Sequence, residues 1–191
     1  MHVNNLISFV ALIIFLFIGI ASIGINKLRC DGFDTMATRK EANKGNYIVK
    51  NDGTRIYGNK ISWSYGVLSS HNITIDNEKY KITEIKGYRL DGVYFGRYHA
   101  GYVKRIIEGK LNVYYQMEIT DKTTHCYYYA QRGEDGEFTQ IASLDDIKQL
   151  VKDCPKSYEI INKSNKQIRK SIQSDPFYLS EIFEAYNNDC Q

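Results

Sequence analysis

The sequence predicts an α+β fold, and three observations carry that reading. Residues 6–25 form an uncharged apolar run, residues 47–142 alternate apolar and polar positions in short stretches, and residues 143–188 change to helical spacing with helix-start signals. The expected architecture is an N-terminal hydrophobic helix, then a mostly antiparallel, curled or barrel-like β-sheet, then about three C-terminal α-helices. Residues 1–26 are read as a transmembrane anchor or signal peptide, 27–46 as a flexible tether, and 47–191 as a single soluble domain with its sheet in 47–142 and its helices in 143–188. A domain of this size buries roughly two-thirds of its unfolded surface, enough for a core without metal or disulfide staples.

The N-terminal run, LISFVALIIFLFIGIASIGI, has only Ser8 and Ser22 as polar interruptions. Twenty helical residues reach about 30 Å, the hydrocarbon thickness of a bilayer. Gly19-Ile20-Ala21 offers the small residues that a signal peptidase reads, whereas the uncharged Met1–Asn5 and the length of the run favour a retained anchor. Lys27, Arg29, Arg39, Lys40 and Lys44 follow; the positive-inside rule taken alone would keep the domain in the cytoplasm. The expected location is nevertheless a membrane or cell envelope with the soluble domain exported.

Strands are predicted at 47–50, 54–57, 60–64, 72–75, 80–85, 93–99, 102–108, 110–119, 126–131 and 138–141, where β-branched and aromatic residues alternate with polar ones. Asn51-Asp52-Gly53, Tyr65-Gly66, Asp76-Asn77, Asp91-Gly92, Gly109 and Gly133-Glu134-Asp135-Gly136 supply the turns between them. Ser143 reads as an N-cap followed by Asp145 and Asp146, with Ile147, Leu150 and Val151 on one helical face. Pro155 ends that helix or begins the next piece, and Ser164 with Gln167 forms a capping box. Asp175-Pro176 opens a last helix whose apolar stripe is Leu179, Ile182, Phe183 and Tyr186.

Composition narrows the function classes. A net charge of +3, with no strong basic stripe or nucleic-acid module, argues against a nucleic-acid partner. Cys30, Cys126, Cys154 and Cys190 form no Cys-x-x-Cys pair, so neither a zinc ribbon nor a thioredoxin-type site is predicted, and no metal or cofactor is expected. An even number in an exported chain permits disulfides. A Cys154–Cys190 bond would tie the start of the helical region to its end; four free thiols are the alternative.

Several local patterns resemble a group of exported bacterial envelope proteins. They are Asp52-Gly53-Thr54 with Gly58 shortly after, Gln131-Arg132-Gly133-Glu134-Asp135-Gly136, Leu150-Val151-Lys152-Asp153-Cys154-Pro155 and Phe183-Glu184-Ala185-Tyr186-Asn187-Asn188. The likeness covers about residues 46–188 and implies an exported location. It carries no activity, cofactor or functional residue, and the uncharged n-region departs from the leaders usual in that group.

Candidate chemistry is sparse. His71, His99 and His125 are the imidazoles beyond the leader, and none has metal-motif spacing. Strand alternation puts His125 and Cys126 on opposite faces, against a nucleophile–base dyad. Asp145-Asp146 is explained by the helix dipole, and Gly87, Gly92, Gly96 and Gly101 form no phosphate loop and read as turns or bulges. Tyrosine stands out, with 16 in the chain. Tyr114-Tyr115 and Tyr127-Tyr128-Tyr129 alternate across adjacent strands, so if one face of the sheet is buried, at least one ring of each group is expected at the surface as a ligand contact.

Three functions follow. The leading one is a non-catalytic binding or structural module of the cell envelope, held to the membrane through residues 6–25 or exported, that meets an envelope protein or polysaccharide through its Tyr-rich sheet. The second is a hydrolase of envelope polysaccharide or peptide with a site assembled from distant residues, for which a pocket joining His99 or His125 to carboxylates is the mark. The third is an anchored domain that binds anionic lipid through Lys81, Lys86, Arg89, Arg97, Lys104 and Arg105.

Overall fold

The computed structural model describes residues 45–64, 72–120, 123–175 and 177–190. The apolar run, most of the tether, the Tyr65-Gly66 turn, His71 and Pro176 lie outside them. Among the described residues no helix is long and apolar enough to cross a membrane.

Among the described residues eleven strands come first: β1 (Asn46–Lys50), β2 (Arg55–Gly58), β3 (Ile61–Ser64), β4 (Asn72–Ile75), β5 (Glu78–Lys81), β6 (Ile85–Leu90), β7 (Val93–Tyr98), β8 (Gly101–Ile107), β9 (Leu111–Ile119), β10 (Thr124–Arg132) and β11 (Phe138–Ile141). Four helices follow: α1 (Leu144–Val151), α2 (Pro155–Ile161), α3 (Asn165–Ser174) and α4 (Tyr178–Asp189). The strands make an eight-stranded sheet in the order β11-β10-β9-β8-β7-β6-β1-β2 and a three-stranded sheet β3-β4-β5, with antiparallel neighbours throughout. The α+β class and the antiparallel sheet are as expected.

Turn chemistry explains the hairpins. Asp76 and Asn77 between β4 and β5, and Asp91 and Gly92 between β6 and β7, have φ of 44°, 79°, 51° and 81°, the left-handed pairs that two-residue hairpins require. Two expectations need correction. The strand predicted at 80–85 straddles the end of β5, a 3-10 turn at Ile82–Glu84 and the first residue of β6, because the Glu84 carboxylate folds back to accept the Lys81 N–H at 3.1 Å. β6, interrupted by Gly87 and three basic or polar positions, then lies between β1 and β7. Among the described residues the C-terminal helices number four where about three were expected, because Pro155 sits at the first position of a separate short helix, where its fixed φ suits helix initiation. Ser143 caps α1 as expected, in a capping box completed by Asp146, and Ser164 caps α3 in the capping box predicted with Gln167.

The large sheet is not closed, since its edge strands β2 and β11 are not paired with one another. Side chains nevertheless bridge its distant parts. Arg55 of β2 reaches Glu134 in the β10–β11 turn at 3.5 Å, and a Cβ added to Gly96 of β7 would lie 3.1 Å from Phe138 Cζ of β11. Such contacts across several strands require strong curling.

Both faces of this sheet carry apolar clusters. On one face Leu111, Val113, Tyr115, Tyr128, Ala130 and Ile141 pack against Ile147, Val151, Ile161, Ile168, Ile182 and Phe183 of the helices. Toward the β1–β2 end, Ile48, Ile85 and Tyr88 pack against Ile61, Ile73 and Ile75 of the small sheet. Each such fully buried side chain contributes about 1.5–3 kcal/mol. The cluster of the opposite face is built from the large sheet's own residues, Tyr47, Val49, Tyr94, Val103, Tyr114 and Tyr129. Burial on both faces explains why Leu111 through Tyr115 are all buried without alternation.

Candidate functional site

Curling leaves a cleft of about 410 Å³ where β6 and β7 face the β10–β11 turn. Its walls include Tyr94, Tyr98 and Phe138, and its rim carries Lys86, Arg97, His99, Glu134, Asp135 and Glu137. The aromatic wall is continuous: the Tyr98 ring lies 4.2 Å from His99, 4.3 Å from Tyr129 and 5.4 Å from Phe138, centroid to centroid. His99 adopts φ 52° in the β7–β8 turn, a left-handed conformation in which a non-glycine residue is uncommon.

A polar scaffold fixes the opposite wall. The buried Gln131 amide accepts a hydrogen bond from the Tyr114 hydroxyl at 2.7 Å and donates to the carbonyls of Gly136 at 2.8 Å and Glu134 at 3.3 Å. Gly133 has φ 63° and its N–H donates to the Lys110 carbonyl at 2.8 Å, while a Cβ on Gly136 would collide with the Arg132 carbonyl. The turn therefore needs glycine at both places.

Electrostatics in the cleft are largely internally balanced. Glu134 lies 3.5 Å from Arg55 and 3.9 Å from Arg105, and Asp135 is 2.5 Å from the Lys86 ammonium. Arg105 is also 2.7 Å from Glu108, and its guanidinium stacks 4.3 Å over the Tyr94 ring. Burial raises the Tyr94 hydroxyl well above its ordinary range and pushes Tyr114 up to about 12, so both rings stay neutral donors under physiological conditions. His99 shares the cleft with three carboxylates, yet among the described residues no hydrogen bond or ion pair joins it to any of them.

The predicted contact tyrosines fall elsewhere. Tyr114 and Tyr129 are buried in the concave cluster, while Tyr115 and Tyr128 are buried against the helices with their rings 5.6 Å apart. The expectation that a ring of each group reaches solvent fails for Tyr114 and Tyr115, because the sheet buries both faces rather than one. Tyr127 alone of the five is half-buried, 6.4 Å from the His125 ring. Its His125 neighbour hydrogen-bonds Thr123 at 2.9 Å and lies outside the cleft lining.

Other predicted features also find positions. Cys154 and Cys190 form a disulfide with Cα atoms 5.5 Å apart, joining the residue before α2 to the residue after α4. Asp146 accepts from Ser143 as part of the capping box, and Asp145 pairs with Lys148 at 3.4 Å. Gly87 of β6 flanks a register shift against β1, whereas Gly96 lies inside β7 opposite it and not in a turn or bulge as expected; a Cβ on Gly87 would strike Tyr94, and one on Gly96 would strike Tyr114. Among the described residues no group of three His, Cys, Asp or Glu side chains is placed to hold a metal ion.

Sequence reasoning missed Tyr98, Phe138 and Gln131 as cleft residues. Phe138 and Tyr98 are four strands apart in the sheet, and only the glycine at 96 hints that another side chain approaches there. No protein-family model, curated protein or solved structure matches the chain.

Proposed function

We propose that the chain is a non-catalytic binding module of the cell envelope, exported or held to a membrane through residues 6–25, and that its cleft takes a saccharide of envelope polysaccharide. The observation that carries the reading is the Tyr98–Phe138 wall facing polar rim groups in an open cleft of about 410 Å³. Aromatic faces stack on the apolar faces of sugar rings, and a few placed polar groups fix their orientation. The Cys154–Cys190 disulfide supports an oxidising compartment. Lipid binding has less support, since Lys86 pairs with Asp135, Arg89 is buried, Arg97 donates to the Ile82 carbonyl at 3.1 Å and Arg105 is held by Glu108. Capture of the purified domain on insoluble envelope polysaccharide tests the proposal: Tyr98→Ala is expected to weaken retention at least tenfold, about 1.4 kcal/mol. Equal retention of wild type and variant contradicts it.

One observation favours a second reading, a hydrolase: His99 shares the cleft with Glu134, Asp135 and Glu137. Release of soluble fragments by wild type and not by Glu137→Gln would select it.

A further inference from the structure

The outer face of α3 carries positive charge that nothing in the fold uses. No acidic residue lies between Glu159 and Asp175, whereas Lys163, Lys166, Arg169 and Lys170 all fall in that stretch. All four are exposed. Lys163 lies 5.4 Å over the Tyr178 ring, but among the described residues the side chains of Lys166, Arg169 and Lys170 make no hydrogen bond or ion pair. Lys86 and Arg105 of the sheet, each held by a carboxylate, differ in this respect. At about 100° of rotation per residue, Lys166, Arg169 and Lys170 share an arc of about 100°. Ile168, the buried residue of α3, faces away from that arc into the core shared with the sheet. The arrangement works against the helix itself. Like charges one turn apart repel, and Lys163 and Lys166 stand at a helix start with no acid in its first turn, where the dipole disfavours cations. Neither packing nor helix stability therefore accounts for the cluster. Phe177, just past the end of α3, adds an aromatic ring that is 48% exposed. Basic side chains on a helix whose other side is buried, with an exposed aromatic ring nearby in the chain, suit the headgroup layer of an anionic membrane.

We propose that the outer face of α3 docks on anionic phospholipid headgroups of the membrane that holds the chain. The proposal rests on the membrane-held form of the function above, which brings the domain to a bilayer, and adds the lipid charge that the domain selects. The helices cover the sheet face opposite the concave cluster. With α3 seated on the bilayer, the cleft opens away from the lipid, toward envelope polysaccharide.

Lysine acylation read by mass spectrometry tests this on the full-length chain reconstituted in bilayer discs, made of phosphatidylcholine alone or mixed with phosphatidylglycerol. Lys166 and Lys170 are expected to react about tenfold or more slowly in the anionic discs at low salt, and to recover at high salt. Exposed Lys60 and Lys79 serve as controls. Equal reaction in both discs, or slowing of Lys60 and Lys79 by the same factor, overturns the docking and leaves the anchor standing. A chain retained by neither kind of disc overturns both. Slowing by a soluble anionic polysaccharide, with none from the lipid, assigns the face to a polymer and contradicts the proposal. In Lys166→Gln/Arg169→Gln/Lys170→Gln, whose three sites are exposed, the remaining Lys163 is expected to react equally in both discs. Persistent slowing of Lys163 in the anionic discs rules against these cations as the contact.

Discussion

Gln131 shows how a single side chain sets the geometry of the cleft. It joins the Tyr114 hydroxyl, at the centre of the concave face, to the carbonyls of the turn that carries Glu134, Asp135 and Glu137. Tyr114→Phe leaves the buried Gln131 oxygen without that donor and is expected to cost about 1–3 kcal/mol in denaturant unfolding. Tyr114 also sets an alkaline limit. Its folded-state pKa is raised from 10.0 to about 12, so the stabilisation is full below pH 10.0 and is lost as pH rises toward 12. Alkaline unfolding followed by circular dichroism checks this, and Tyr114→Phe is expected to flatten the decline. The turn glycines and the Ser143 and Ser164 caps were legible in the sequence because each acts through its nearest neighbours. The burial of Tyr114 and Tyr128 was not, because alternation along a strand does not reveal that both faces of the sheet are covered.

Beside the apolar core between sheet and helices, a few polar contacts join the two layers. Arg132, at the end of β10, pairs with Asp153 at 3.1 Å, donates to the Leu150 carbonyl at 2.8 Å and hydrogen-bonds the Tyr186 hydroxyl of α4. Tyr186 in turn donates to Asp153 at 3.0 Å. Asn187 accepts the Leu111 N–H at 2.8 Å and donates to its carbonyl at 3.1 Å, completing the start of β9 as a neighbouring strand would. Arg132, Asp153, Tyr186 and Asn187 thus serve docking between elements. Asn187→Ala is expected to destabilise the domain by about 1–3 kcal/mol, measured by urea unfolding, through loss of both bonds to a buried strand. The existence of α3 was readable from its Ser164 cap and that of α4 from its apolar stripe, although Phe177 precedes α4 without a side-chain cap. The separate α2 and the split of 80–85 into β5 and β6 were not, since both depend on how a short apolar segment packs after the chain has turned.

Seen whole, the molecule is a curled sheet braced on one face by helices and a small sheet, with a cleft left at one end of the other face. Its acid behaviour follows from carboxylates that link distant parts. Backbone N–H groups of Lys60 and Asn59 hold Asp76 below the usual carboxylate value of 3.8, tying the β2–β3 link to the β4–β5 hairpin. For Asp153 burial acts upward, but hydrogen bonds from Tyr186 and Arg132 outweigh it and lower the pKa. Both contributions are present above pH 3.8 and are lost as pH falls through the depressed folded-state values, so stability is expected to decline below that point. A melting-temperature series across acidic pH checks the direction. The cleft itself was illegible in the sequence, because it exists only where the curl brings β7 to β11. Chemical-shift mapping of the isotope-labelled domain titrated with soluble envelope oligosaccharide tests the central claim most directly. Shifts concentrated at Tyr98, His99, Phe138 and residues 134–137 are the predicted result; shifts confined to other surfaces, or none at saturating ligand, would contradict it.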